Sequence, residues 1–234
     1  MKFLLSNDDG YDAPGLAQLA DILKPFGDVF VAAPKRPWSG CGHRICTDRE
    51  ISIESVGDQF WCIDAYPADC VRIALSCLVD SVDWVIAGIN DGGNLGADIY
   101  MSGTVAAARE AFLFGRPSIA ISQYRDRKGT QSWSETGTLA AKALASVFEQ
   151  HQDDGGLWNI NLPDLSGHDV SDPDLAHCSP DPHPLPSDYQ ETPQGVRYVG
   201  SYQDRRRLND SDIAQCFGGK IAISRLETSG QQLQ

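Results

Sequence analysis

Three unbroken apolar runs, Lys2–Ser6, Asp28–Pro34 (DVFVAAP) and Asp83–Ile89 (DWVIAGI), constrain this chain more than any other feature. Runs without polar alternation leave neither face for water. They suit strands of a parallel sheet covered by helices on both sides. Between the first two, Leu16, Leu19, Leu23 and Phe26 recur at helical intervals. Pro14 suits the first turn of that helix, and Pro25 with Gly27 ends it. Strand, helix, strand in that order predicts a right-handed βαβ unit.

The rest of the chain extends the pattern. Residues 36–50 read as a long loop, Ile51–Ile63 as a hairpin, and Pro67–Val79 as a helix. Ser102–Phe114 is a helix capped by Ser102 and closed by Gly115. Pro117–Ser122 and Leu157–Leu162 read as strands, with a helix at Gly137–Gln150 between them. From 164 to 195 the chain is crowded with Pro, Asp, Ser and His, which predicts an irregular arm. Arg197–Tyr202 and Lys220–Leu226 read as strands. The expected fold class is therefore α/β. Residues 1–165 form a Rossmann-like, doubly wound, mostly parallel sheet, and 166–234 a C-terminal β-rich arm.

The formal net charge is -13 over 234 residues. Polymeric nucleic acid needs clustered Lys and Arg, so it is not an expected partner. An acidic chain can hold a phosphate ester when a cation inverts the local field. Seven Cys, an odd number with no Cys-x-x-Cys pair, argue against a disulfide framework or a structural zinc site. Reduced thiols in a cytoplasm are the expectation. The opening MKFLLSNDDG is too short in apolar residues for a signal or membrane segment, so no membrane partner is expected.

In open parallel sheets, ligands bind at the carboxyl ends of the strands. Three polar clusters fall there: Asn7-Asp8-Asp9-Gly10, Ser39-Gly40 and Asn90-Asp91-Gly92-Gly93-Asn94. Adjacent carboxylates repel each other and persist cheaply when something positive lies beside them. Asp8 and Asp9 with the Ser39 hydroxyl and the Asn90 carboxamide form an oxygen donor set suited to Mg²⁺ or Mn²⁺. The same Asp-Asp-Gly can also be an ordinary turn. Ser102-Gly103-Thr104 opens a helix, where free N–H groups and the dipole favour an anion. Ser102 can equally be no more than a cap. His43 could touch a substrate, though a loop His is more often solvated and idle. Cys41 and Cys46 flank it, but nothing supplies an oxyanion hole for a Cys–His nucleophile. Arg205-Arg206-Arg207 reads as a phosphate clamp or, more often for such a run, a solvated turn.

Taken together, LLSNDDGYDAPG at 4–15, APKRPWSG at 33–40, YPADCV at 66–71, AGINDGGNLG at 87–96 and IYMSGTVAAA at 99–108 closely resemble the SurE family of survival-protein nucleotidases. The resemblance implies a metal-dependent phosphatase for nucleoside 5′-monophosphates. It extends to 3′-monophosphates and, in some members, short polyphosphate. It implies one divalent ion per subunit on Asp8, Asp9, Ser39 and Asn90. The catalytic residues expected are Asp8 and Asp9, one or the other of which takes the proton from the attacking water. Asn94, Ser102, Gly103 and Thr104 would bind the phosphate. It also implies a homodimer or homotetramer built through the C-terminal arm. Cys41-Gly42-His43 after Ser39-Gly40, and Arg225-Leu226-Glu227 near the end, depart from the family's usual residues. Two rival readings are a haloacid-dehalogenase-type phosphatase, which needs Asp-x-Asp after the first strand, and a metal-dependent nucleotide sensor without catalysis.

Overall fold

The computed structural model describes residues 1–126, 131–151, 155–166, 168 and 171–227. The first apolar run is strand β1 (Lys2–Ser6), followed by helix α1 (Pro14–Leu23) and strand β2 (Asp28–Pro34). Pro14 occupies the start of α1. A hairpin of β3 (Ile53–Gly57) and β4 (Phe60–Ile63) comes next, then α2 (Pro67–Ile73), extended by a wider turn over Ala74–Leu78. Strand β5 (Trp84–Asp91) runs two residues further than its apolar stretch, to include Asn90 and Asp91. Helix α3 (Gly103–Leu113), β6 (Ser118–Gln123), α4 (Trp133–His151) and β7 (Leu157–Leu162) complete the alternating part.

Beyond it lie β8 (Leu175–His177), the hairpin β9 (Tyr189–Thr192) and β10 (Gly195–Tyr198), α5 (Asp212–Phe217) and β11 (Ile221–Leu226). The main sheet runs β3-β4-β2-β1-β5-β6-β7-β11-β8. It is parallel except for β3 on β4 and β11 on β7. The fold is thus α/β with a mostly parallel, Rossmann-like sheet. Strand order reverses direction between β1 and β5, so the carboxyl ends of those two strands flank the crevice where such sheets bind ligands.

Two apolar layers cover the sheet. Leu16, Leu19 and Leu23 of α1 pack with Leu139, Leu144 and Val147 of α4 on one face. Val105, Ala107, Ala108 and Ala111 of α3 pack with Val71 of α2 on the other. The alanines let α3 lie close to the strands. Gly15 makes an even closer approach, because a Cβ there would run into the carbonyl oxygen of Ile89 on β5.

The C-terminal segment differs from the expectation in two respects. Residues on both sides of 165 share one sheet, since β11 inserts between β7 and β8. Its run Ile221–Ser224 is fully buried, which a strand on the outside of an arm is not. The strand expected over Arg197–Tyr202 is instead Gly195–Tyr198, paired only with β9. The six-residue α5 is too short to show helical periodicity in the sequence. Among the described residues, no helix is long and apolar enough to cross a membrane.

The tight α1–β5 contact gives a direct check. Gly15→Ala should cost about 1–3 kcal/mol, the usual range for overpacking against a backbone that cannot retreat. Denaturant unfolding measures it, and an unchanged midpoint would mean that α1 does not sit this close.

Candidate functional site

The loop after β1 is shaped by Asn7, not by the carboxylates. The fully buried Asn7 donates from Nδ2 to the Gly10 carbonyl at 2.8 Å and accepts the Gly10 N–H on Oδ1 at 3.3 Å. This clasp turns the chain at Gly10, whose φ of +109° suits glycine. Asp8 is thereby sent inward, 4% exposed, while Asp9 stays half-buried at the surface of the crevice.

Asp8 meets the start of α3. The Thr104 hydroxyl donates to Asp8 Oδ1, and the Thr104 backbone adds a second hydrogen bond. Gly103 permits this approach: a Cβ there would stand 2.7 Å from Asp8 Cβ and 2.9 Å from both Asp8 Oδ2 and Cys41 Sγ. Asp9 faces the other way and accepts the Asp91 N–H on Oδ2 at 3.1 Å, which ties it to the end of β5. Asn90 donates from Nδ2 to the Gly92 carbonyl at 2.7 Å, which leaves its carbonyl oxygen as the free donor atom. The loop after β2 is pinned by Trp38 N–H to the Asp8 carbonyl at 2.7 Å, and the exposed Ser39 is the next residue. Asp8, Asp9, Asn90 and the Ser39 loop therefore meet at the tips of three adjacent strands.

Burial dominates the electrostatics. It pushes the Asp8 carboxyl up to about 6; the hydrogen bond from Thr104 opposes this and the charge of Asp9 adds to it. Asp9 is also raised, by burial first and then by Asp91 against the pull of the Asp91 N–H. Among the described residues neither has a Lys, Arg or His ion-pair partner. Two crowded, uncompensated carboxylates, a carboxamide oxygen and a hydroxyl make a hard-oxygen donor set that fits Mg²⁺ or Mn²⁺. No group of three or more His, Cys, Asp or Glu suited to a metal occurs among the described residues, so the donor set rests on the amide and hydroxyl oxygens beside the two carboxylates.

The other expected residues divide. The Ser102 hydroxyl accepts the Val105 N–H at 3.0 Å and so does cap α3. Asn94 does not turn toward residues 102–104. It is 6% exposed and donates from Nδ2 to Ser122 Oγ at 2.7 Å. Its backbone is held by Asn159 and Asn161 at the end of β7. Asn94 thus fastens the loop after β5 to β6 and β7.

Some features carry more structure than their sequence suggested. His43 is not idle: its Nε2 lies 2.8 Å from Glu110 Oε2, and the other Glu110 oxygen takes Arg72 at 2.9 Å. Glu110 sits two turns beyond Gly103 on α3, a helical spacing that could have marked it. The Cys41 thiol is pushed up to about 11 by burial and then by Asp8, which favours the protonated thiol at neutral pH. Around Ser39 the chain carries Lys35, Arg36, Arg44 and Arg49 against the one acidic residue Asp48. Arg36 lies 4.5 Å over the Trp38 ring and Arg44 4.6 Å over Tyr66, with the two rings packed at 4.4 Å. A basic rim thus borders an acidic pocket in an acidic chain. Arg205 is not part of a solvated turn either; it is 4% exposed and paired with Asp98.

Comparison with known proteins bears on the chain as a whole. The family model for survival protein SurE matches residues 3–181. A Nostoc sp. protein with a 5′-nucleotidase name is 42% identical over 226 residues, covering 97% of this chain and 99% of its own. The 5′-nucleotidase SurE of Methylobacillus flagellatus is 37% identical over 235 residues, covering 97% and 93%. The crystal structure of the SurE protein from Aquifex aeolicus matches with a TM-score of 0.82 at 28% identity, over 97% of this chain and 93% of that one.

The raised carboxyl of Asp8 predicts how a cation and pH should interact. Above about 6 the buried group is ionised, a state that burial disfavours and a dication relieves. Below that value it is protonated and binds a cation poorly. Mn²⁺ should therefore raise the thermal midpoint more at pH 7.5 than at pH 5, and Asp8→Asn should flatten the difference. Equal stabilisation at both pH values would contradict the burial of Asp8.

Proposed function

This chain belongs to the survival protein SurE family, and on that footing we propose that it is a divalent-metal-dependent phosphatase that converts nucleoside 5′-monophosphates to nucleoside and phosphate. In this reading 3′-monophosphates and short polyphosphate are further substrates. The observation that supports it most is the hydrogen bond from the Thr104 hydroxyl to Asp8 Oδ1, which joins a buried carboxylate at the tip of β1 to the start of α3. The names of the Methylobacillus and Nostoc relatives support the reaction class.

Asp8, Asp9, Ser39 and Asn90 hold one Mg²⁺ or Mn²⁺ per subunit. Bound there, the ion supplies the positive charge that phosphoryl transfer requires and acidifies water. The chain's own groups do the rest. The start of α3 at Ser102-Gly103-Thr104 receives phosphate oxygens, helped by the helix dipole. Asp9, half-exposed and with Oδ2 already taken by Asp91 N–H, offers Oδ1 to a proton from the attacking water. The exposed guanidinium groups of Arg36 and Arg44 attract the anionic substrate toward the crevice. Asp-Asp-Gly after β1 lacks the Asp-x-Asp that an aspartyl-phosphate mechanism needs.

The hairpin β9–β10 presents Tyr189, Val196 and Tyr198, each at least 47% exposed, on a two-stranded sheet separate from the main one. Such a surface suits contact with a second copy, as a homodimer or homotetramer. The enzyme works in the cytoplasm in this reading, where its seven Cys remain reduced.

Phosphate release from a panel of nucleoside monophosphates in Mn²⁺, Mg²⁺ or EDTA tests the whole. Asp9→Asn should cut turnover by about 100-fold or more while leaving the unfolding midpoint level or higher, since a like charge is removed. Undiminished activity in EDTA would exclude the metal role. Nucleotide binding without phosphate release in any metal would instead favour a sensor.

A further inference from the structure

We propose that Tyr202 and Arg205 are positioning residues for the phosphate-binding start of α3, acting through Asp98; this rests on the phosphatase reading above. Asp98 lies in the helical turn Gly96–Tyr100, between the loop after β5 and the cap of α3. Its two ends do different work. The carboxylate accepts Tyr202 Oη at 2.6 Å, Arg205 Nη1 at 3.1 Å on both oxygens, and the Leu95 N–H at 3.1 Å. Its backbone carbonyl accepts the N–H groups of Met101 and Ser102, each at 3.0 Å. Ser102 in turn caps α3. A grip on the Asp98 side chain therefore sets the backbone that presents Ser102, Gly103 and Thr104.

The grip is built from far along the chain. Tyr202 and Arg205 stand 104 and 107 residues beyond Asp98. Arg205 forks its other nitrogen, Nη2, to the Leu95 carbonyl at 2.8 Å, and its guanidinium lies 4.3 Å over the Tyr202 ring. Asp212 adds a second hold by accepting the Gly96 N–H at 2.8 Å. Beneath them Leu95, Tyr124, Ile213 and Cys216 form a small apolar cluster of their own, with Tyr202 and Phe217 against it. A buried Arg–Asp pair contributes little net stability compared with apolar residues of like size. What it does contribute is a fixed geometry: a planar fork with one allowed placement for both Leu95 and Asp98.

Two variants separate positioning from plain stability. Tyr202→Phe removes one hydrogen bond and keeps the ring. Arg205→Lys keeps a charge for Asp98 and loses the fork to Leu95. With AMP and Mn²⁺, KM and the inhibition constant of inorganic phosphate should rise together, about 3- to 10-fold, more than kcat falls. Amide exchange over residues 98–106 should quicken while the sheet strands stay protected. Arg205→Lys should retain more phosphate affinity than Arg205→Ala.

A lowered unfolding midpoint with unchanged KM, phosphate inhibition and local exchange would overturn the proposal. If the wild type releases no phosphate from AMP, the phosphatase reading fails separately. Calorimetric titration with inorganic phosphate in Mn²⁺ then decides the clamp. Weaker phosphate binding in Tyr202→Phe upholds it, and equal binding, or none even in the wild type, overturns it.

Discussion

An ionised carboxylate taken out of water beside a second carboxylate is a costly arrangement, and much of this structure exists to hold one. Asp8 is sealed by the clasp of Asn7 on Gly10, by the Trp38 N–H on its carbonyl, and by Thr104 on its side chain. Each tie comes from a different element, so β1, the loop after β2 and the start of α3 are locked together at one point. The helix dipole and the Thr104 hydroxyl offset part of the desolvation but leave the carboxyl still raised to about 6. That residual imbalance is the physical ground on which the dication is proposed.

Seen from that point, the family membership and the local chemistry support each other without being the same argument. The match over residues 3–181 places the chain among survival protein SurE relatives. The oxygen-only donor set and the small residue at Gly103, which lets a helix start press against Asp8, are the physical grounds for proposing a hard cation and a phosphate in one crevice. The loop after Ser39 has contacts of its own with α3. His43 pairs with Glu110 on α3, and Gly42 N–H reaches the Met101 carbonyl at 2.9 Å, so the loop after Ser39 is braced on the helix beside the site.

The C-terminal segment is bound to the centre of the molecule in two ways. Strand β11 enters the main sheet antiparallel to β7, and Tyr202, Arg205 and Asp212 close over the turn that leads into α3. Asp181 serves the same end. Burial alone would push its carboxyl up, but the backbone N–H groups of His183 and Leu208 and the side chains of Ser211 and His183 hold it at about 2. It remains ionised and keeps the segment's turns in place at any ordinary pH. The exposed hairpin β9–β10 forms a two-stranded sheet of its own, outside the main one.

How much was legible in the sequence follows from the range of the forces involved. Apolar runs and helical spacing are local, so β1, β2, β5 and the helices between them could be read directly, as could the polar clusters at the strand tips. The cap at Ser102 was legible for the same reason, since its partner Val105 is three residues away. Asn94 could not be read: its partners Ser122, Asn159 and Asn161 are local to nothing in its own loop and turn its side chain toward the sheet. Arg205 looked like one of three solvated arginines, because nothing in its neighbourhood announces Asp98 or the Leu95 carbonyl. The sequence by itself determined the layered α/β class and the oxygen-rich strand ends, both properties of short windows of chain. Only the tertiary structure decided which side chains are buried, which carboxylates crowd each other and which distant residue grips the start of α3, because desolvation and pairing depend on neighbours brought together from a hundred residues apart.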